Sequence, residues 1–206
     1  MTEWKTVPLG DLIKGAPRTG VRQEEGEVAA STPFISTGLV SAGLPILAQP
    51  PEEFTAIDPK DRTVRRGDLL LVSRGVNFEK PTRCSKVEFD ECAAYSESLV
   101  RLRIKPEIAD PDYVRLFLTS RLGRLSLGAI ATGSVITNLP YRSLVRAQIR
   151  VPDLNHQREI VTVMRDIEQA EIDLETLIST VSRTRDALQE ALIRDLLQPT
   201  SAKVGQ

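Results

Sequence analysis

The sequence predicts an α+β protein: a mixed α/β domain of short strands and a few helices, followed by one long C-terminal helix with coiled-coil periodicity. Three observations carry this reading. Short apolar runs bounded by turn residues fill the chain up to Pro152, residues 157–197 contain neither proline nor glycine, and apolar residues recur at every seventh position along that stretch.

Residues 14–62 are rich in Gly, Pro, Ser and Thr and read as loops punctuated by short strands. Leu69-Leu70-Leu71-Val72 after the turn Arg66-Gly67-Asp68 reads as a buried strand, and Leu99-Val100-Arg101-Leu102-Arg103-Ile104 before Lys105-Pro106 reads as a second, partly alternating one. A helix is predicted over 111–127, with Asp110 as N-cap, Pro111 at the first helical position, and Tyr113, Leu116, Phe117 and Leu125 on its apolar face. Gly128 and Ala131-Thr132-Gly133-Ser134 end it, and Val135-Ile136 resumes an apolar pattern before Pro140-Tyr141. Trp4, Phe34 and Tyr141 are expected to anchor the core or an interface. No internal repeat is present.

The 41 residues 157–197 would span about 60 Å as one helix, longer than a domain of this size conceals. Ile160, Ile167, Leu174, Val181 and Leu188 occupy one heptad position without a miss; Met164, Glu171, Ile178, Arg185 and Leu192 occupy its partner, so Glu171 and Arg185 interrupt a seam otherwise fit for a second helix. Such a stripe needs a cover, and the absence of a turn favours pairing with another long helix, most simply in a homodimer.

Composition narrows the function. The 206 residues carry 27 Lys+Arg and 28 Asp+Glu, with no apolar run of about 18 residues and no basic-then-apolar start, so neither a membrane span nor a secretory signal is expected and the chain reads as cytoplasmic. Two cysteines, Cys84 and Cys92, and a single histidine, His156, cannot assemble a Cys/His zinc site or a disulfide framework; no metal and no cofactor is expected. Any His-dependent nucleophile would need His156, which sits beside a helix start. The charge is divided: residues 157–197 hold five Arg against nine acids, net −4, whereas residues 60–150 hold 17 cations against ten acids, net +7. Arginine supplies 20 of the 27 cations, and its planar fork suits phosphate oxygens and guanine edges.

Several segments in order, Trp4 with Pro8-Leu9-Gly10-Asp11-Leu12-Ile13, Pro33-Phe34-Ile35-Ser36-Thr37-Gly38, Val64-Arg65-Arg66-Gly67-Asp68-Leu69-Leu70, Thr132-Gly133-Ser134-Val135-Ile136-Thr137-Asn138-Leu139 and Ile149-Arg150-Val151-Pro152-Asp153-Leu154-Asn155-His156-Gln157-Arg158-Glu159-Ile160, resemble the specificity subunit of type I restriction-modification systems. The resemblance spans nearly the whole chain and lies in the ordered set more than in any one motif. It implies a DNA target-recognition domain over residues 1–152, a conserved-region helix over 153–198 acting as dimerisation element and ruler, and a flexible tail over 199–206. Its partners would be double-stranded DNA, a methyltransferase subunit and, through that complex, a restriction subunit. Family members usually carry two such units in one chain; this sequence has one, so the second would come from another copy or another specificity chain.

Within the domain, Arg74 and Asn77 lie in a Gly-containing loop after a strand, suited to base edges or equally to a solvated turn. Lys80, Arg83 and Lys86 follow, placed for phosphates or for a charged outer sheet face. Ser134, Thr137 and Asn138 suit close approach to a sugar-phosphate backbone, or a loop that closes the domain. Arg18 and Arg22 flank a Gly-rich loop in a segment where the family varies in sequence, and both are expected to contact DNA. Asn138-Leu139-Pro140-Tyr141 resembles the Asn-Pro-Pro-Tyr signature of adenine methyltransferases, but Leu replaces the first Pro and no strand with a Gly-rich cofactor loop precedes it. No Gly-x-x-x-x-Gly-Lys loop occurs either. The reading is a non-catalytic DNA-recognition subunit; the alternative is an assembly or regulatory homologue that competes for the methyltransferase subunit.

Overall fold

A computed structural model of the chain describes residues 4–24, 32–41, 46–133 and 137–197. The chain forms two compact units, Met1–Val161 and Thr162–Gln206. In chain order the elements are β1 (Lys5–Pro8), α1 (Leu9–Leu12), β2 (Arg18–Thr19), β3 (Thr32–Ile35), α2 (Thr37–Ser41), β4 (Ile46–Leu47), β5 (Phe54–Thr55) and β6 (Leu69–Val72). There follow β7 (Cys84–Val87), β8 (Ala94–Tyr95), β9 (Leu99–Leu102), α3 (Pro111–Thr119), α4 (Arg121–Gly128), a 3₁₀ turn (Leu144–Arg146), β10 (Gln148–Val151) and α5 (Leu154–Leu197). The mixed α+β architecture with a long C-terminal helix is the one the sequence predicts.

The first unit is organised by a five-stranded sheet in the order β2-β9-β6-β7-β4, antiparallel apart from the parallel β4–β7 pair. Two-residue periodicity sends Leu69 and Leu71 of β6 to one face, with Val100 and Leu102 of β9 and Tyr113, Val114 and Leu118 of α3. Leu70 and Val72 point to the other, with Leu99, Val87, Ile35 and Tyr95. Both faces are covered, which is why β6 reads as an unbroken apolar run instead of an alternating one. A three-stranded sheet, β5-β3-β8, and the pair β1-β10 complete the unit.

The predicted helix over 111–127 is two helices. Asp110 caps α3 as expected, its carboxylate accepting the Asp112 amide at 2.8 Å. At Ser120 the backbone turns extended (φ −70°, ψ 169°) and the side chain accepts the Gly123 amide at 3.1 Å, capping α4. Gly123 is required by the corner, because a Cβ there would lie 2.0 Å from the Phe117 carbonyl. The break rotates Leu125 outward, so it is exposed instead of lying on the expected apolar face. One further expectation fails because burial follows the sheet faces. Lys86, on the α3 side of β7, is buried and its ammonium meets Asp112 and Glu88 instead of facing solvent. Trp4 is exposed, its ring under the Arg150 guanidinium, whereas Phe34 is buried. Cys84 is also buried, and burial pushes its thiol up to about 12.

The α5 start is fixed by two side chains. Asp153 accepts the amides of Asn155 and His156 at 3.1 Å, and its other oxygen meets His156 Nδ1 at 2.7 Å; these bonds, the His156 amide first, hold the carboxyl below the usual carboxylate range. Gln157 is buried, donating to the Pro152 carbonyl at 2.9 Å and accepting the Asp110 amide at 2.9 Å, so the first turn of α5 is bound to the cap of α3. Ile160 packs on the domain core, and Met164 is half-buried.

Beyond Val161 the helix carries an exposed apolar stripe: Ile167, Leu174, Ile178, Val181, Leu188 and Leu192 are all open. Val163 and Leu177 are exposed as well and belong to a further heptad row, Val163, Ala170, Leu177, Thr184 and Ala191, that is free of charge throughout. Thr176, Thr180 and Thr184 each donate to the carbonyl four residues earlier at 2.9 Å, which satisfies their hydroxyls within the helix. The tail over 199–206 lies outside the described residues.

Gln157→Leu keeps the bulk but strands the Asp110 amide and the Pro152 carbonyl. It should lower the stability of the first unit by about 2 kcal/mol, read as a shifted urea midpoint at unchanged slope. An unshifted midpoint would show that the clamp contributes nothing.

Candidate nucleic-acid interface

A sheet covered on both faces leaves its polar chemistry at the strand ends. At the C-terminal end of β6, Ser73 donates its amide and its hydroxyl to the Ser98 carbonyl, both at 2.9 Å, and its own carbonyl accepts the Leu139 amide at 2.8 Å. The Val76 amide donates to the Thr137 carbonyl at 3.0 Å, Arg74 and Asn138 form a β-bridge, and Asn138 and Thr132 exchange amide bonds at 2.8 and 2.9 Å. Gly75 adopts φ 65°, the left-handed conformation a glycine takes readily. The loops around Arg74 and Asn138, separate in sequence, are therefore one surface.

Arg22 joins them through the main chain. Gly20 lets the chain pass so close to Tyr95 that a Cβ would lie 1.8 Å from its carbonyl oxygen; Val21 then bridges Ser96, and Glu97 donates its amide to the Val21 carbonyl at 2.8 Å. Glu97, a residue sequence reasoning passed over, also pairs with Arg74 at 3.1 Å. That pair is about half exposed on both sides and worth under about 1 kcal/mol, less than the roughly 1–3 kcal/mol of a bidentate contact to a base. Arg74 is therefore not locked to Glu97.

The remaining predicted residues divide. Asn77 closes a turn, its side chain accepting the Glu79 amide at 2.8 Å and its carbonyl the Lys80 amide at 3.3 Å, which leaves the Asn77 side-chain NH₂ outward as a donor. Lys80 and Arg83 are exposed, and Thr137 and Asn138 are half-buried, contributing main-chain bonds. Ser134 lies outside the described residues. Arg18 is not with Arg22: β2 runs antiparallel to β9, so Arg18 faces Arg101 at the opposite strand end, where it pairs with Asp61.

That opposite end holds a group the sequence reading missed. Lys14, Arg18, Lys60, Arg65, Arg101 and Arg103 line a polar cleft of about 350 Å³, with Asp61 on its wall. Buried Asp68 holds Arg103 by two bonds of 2.7 Å and accepts the Arg65 amide at 2.8 Å. Arg101 donates to the carbonyls of Asp61 and Thr63. Tyr95 donates to the Arg18 carbonyl at 3.0 Å, and burial pushes its hydroxyl up to about 12 against the lowering pull of Arg101, Arg62 and Arg18. The signal was present in β9 and its continuation, where Arg101 and Arg103 are two residues apart and so share a sheet face.

No protein-family model matches the chain, and no curated protein matches it. Among solved structures, a chain of a type I restriction-modification system, studied for complex assembly and conformational transition, matches with a TM-score of 0.67 at 15% identity, covering 100% of this chain and 53% of its own length. The type I S subunit from M. genitalium matches at TM-score 0.57 and 17% identity over 90% of this chain and 44% of that one. The HsdS subunit from Thermoanaerobacter tengcongensis matches at 0.52 and 17% over 81% and 37%. The fold is that of type I restriction-modification S subunits, and the chain spans between about a third and a half of the length of these relatives. Among the described residues no helix is long and apolar enough to cross a membrane.

Proposed function

We propose that this chain is a sequence-specific DNA-binding specificity subunit of a type I restriction-modification system. Residues 1–152 act as the target-recognition domain and 153–198 as the pairing and ruler helix. The observation that carries the reading is the fold likeness over the entire chain, in a first unit with exposed Arg22 and Arg74 at one end of a covered sheet and a cation-lined cleft at the other. The chain contributes recognition in the cytoplasm, and methyl transfer belongs to a methyltransferase subunit to which a restriction subunit can be added. In this reading Arg22, Arg74 and Asn77 face bases, while Arg18, Lys80, Arg83, Ser134, Thr137 and Asn138 face the backbone or its sugars.

The apolar stripe of α5 supports pairing of two copies through antiparallel helices. A twofold axis would then present two identical domains, and the bound site would be an inverted repeat with a spacer set by helix length.

Selection from random duplexes by the purified chain, alone and with its methyltransferase subunit, should yield one split, inverted-repeat sequence. Recovery of unselected sequences under both conditions would refute the recognition role and favour a competitor for the methyltransferase subunit. For the seam, Leu174→Asp should weaken self-association by at least about 3 kcal/mol, roughly a hundredfold, with the unfolding midpoint of the first unit unchanged. Sedimentation of the variant at dimer mass under conditions where a hundredfold loss would be visible would contradict the pairing.

A further inference from the structure

We infer that the cleft lined by Lys14, Arg18, Lys60, Arg65, Arg101 and Arg103 is a built site for phosphate oxygens, which in this protein clamps a DNA backbone phosphate at the strand end opposite Arg74. Its DNA half rests on the recognition function proposed above; its phosphate chemistry does not.

Charge is the first argument. Six cations gather around about 350 Å³ in a chain of net charge −1, and among the described residues Asp61 on the wall, Asp68 beneath Arg103 and Asp58 behind Lys60 oppose them, leaving three positive charges in excess. Like charges held this close repel one another, and an anion in the cleft relieves them all together. The lining is polar, so an apolar ligand has nothing to bury against.

Preorganisation is the second. The floor is fixed before any ligand arrives: Arg103 is gripped through two nitrogens by a carboxylate that is itself buried, and Arg101 is tied to two carbonyls of the 61–63 segment. Lys14, Lys60 and Arg65 on the rim are exposed and form no ion pair among the described residues, so they are available.

Lys60 supplies the third argument. Its φ of 51° is the single positive value at a described residue other than glycine, held by the Asp58 carboxylate accepting the Lys60 amide at 2.9 Å. A lysine in left-handed backbone is disfavoured where glycine would be accepted, and the side chain that this conformation carries lies on the cleft. The two ends are separated by the four residues of β9, Leu99–Leu102, about 13 Å, so one duplex lying along the strands can meet both.

The test uses the full chain carrying Lys60→Gly or Arg65→Gln. Lys60→Gly relieves the backbone while removing the charge, so stability should hold or rise as binding falls, a combination that loss of a structural role would not produce. Duplex binding measured over a range of salt should show log K against log salt less steep by about 0.9 for each variant, with selected sequence unchanged. In parallel, calorimetric titration with inorganic phosphate should show one site on the wild type that a variant combining Lys60→Gly and Arg65→Gln lacks. Phosphate binding lost in the variant with an unaltered DNA slope would overturn the backbone clamp and assign the cleft to a free phosphate compound. An unaltered slope and no phosphate site would overturn the inference entirely. If the wild type binds no DNA, the phosphate titration alone decides the cleft, independently of the recognition function.

Discussion

The constraint on which the rest depends is the burial of the central sheet on both faces. Leu69, Leu70 and Leu71 are wholly inaccessible and Val72 nearly so, and at about 2 kcal/mol for each fully buried large aliphatic side chain this one strand anchors the first unit. With α3 on one face and α2, Ile35 and Tyr95 on the other, no polar side chain can project from the middle of β6 without being buried. Ser85 and Lys86 on the neighbouring strand show what happens when one does. Both are buried, and Lys86 requires Asp112 and Glu88 to hold its charge. Polar chemistry is thereby displaced to the strand ends, and the candidate interface has two ends for that reason.

This displacement explains what could and could not be read from the chain. Local rules located β6, β9, the Asp110–Pro111 start of α3 and the long helix, because an apolar run, a cap and an uninterrupted heptad are properties of neighbouring residues. Ser120 and Gly123 were readable only with the knowledge that α4 folds back on Phe117, a contact of tertiary origin. Arg18 and Arg22, four positions apart, look like one cluster in sequence; strand pairing sends them to opposite ends. The cleft draws on residues near 14, 60 and 100, and no window of sequence contains all three. Only the period-two spacing of Arg101 and Arg103 announced it. On the helix, the row containing Glu171 and Arg185 drew attention away from the uncharged row of Val163 and Leu177.

The start of α5 is also fixed within the first unit by few residues. Gln157 lies in a polar run that looks like ordinary helix surface, yet it is buried and satisfies groups from α3 and from the turn before α5. Asp153 and His156 cap the same start. The first turn of α5 is thus held by hydrogen bonds and by Ile160 packed on the core of the first unit.

The central claim is that nucleic acid meets the ends of the sheet and not its helical cover. Hydrogen exchange of the full chain with and without duplex DNA carrying its selected site tests this most directly. The account predicts slowed exchange in residues 14–22, 60–65, 73–77 and 96–98, with α3 and α4 unchanged. Protection confined to α3 and α4, with both strand ends exchanging as in the free protein, would contradict it.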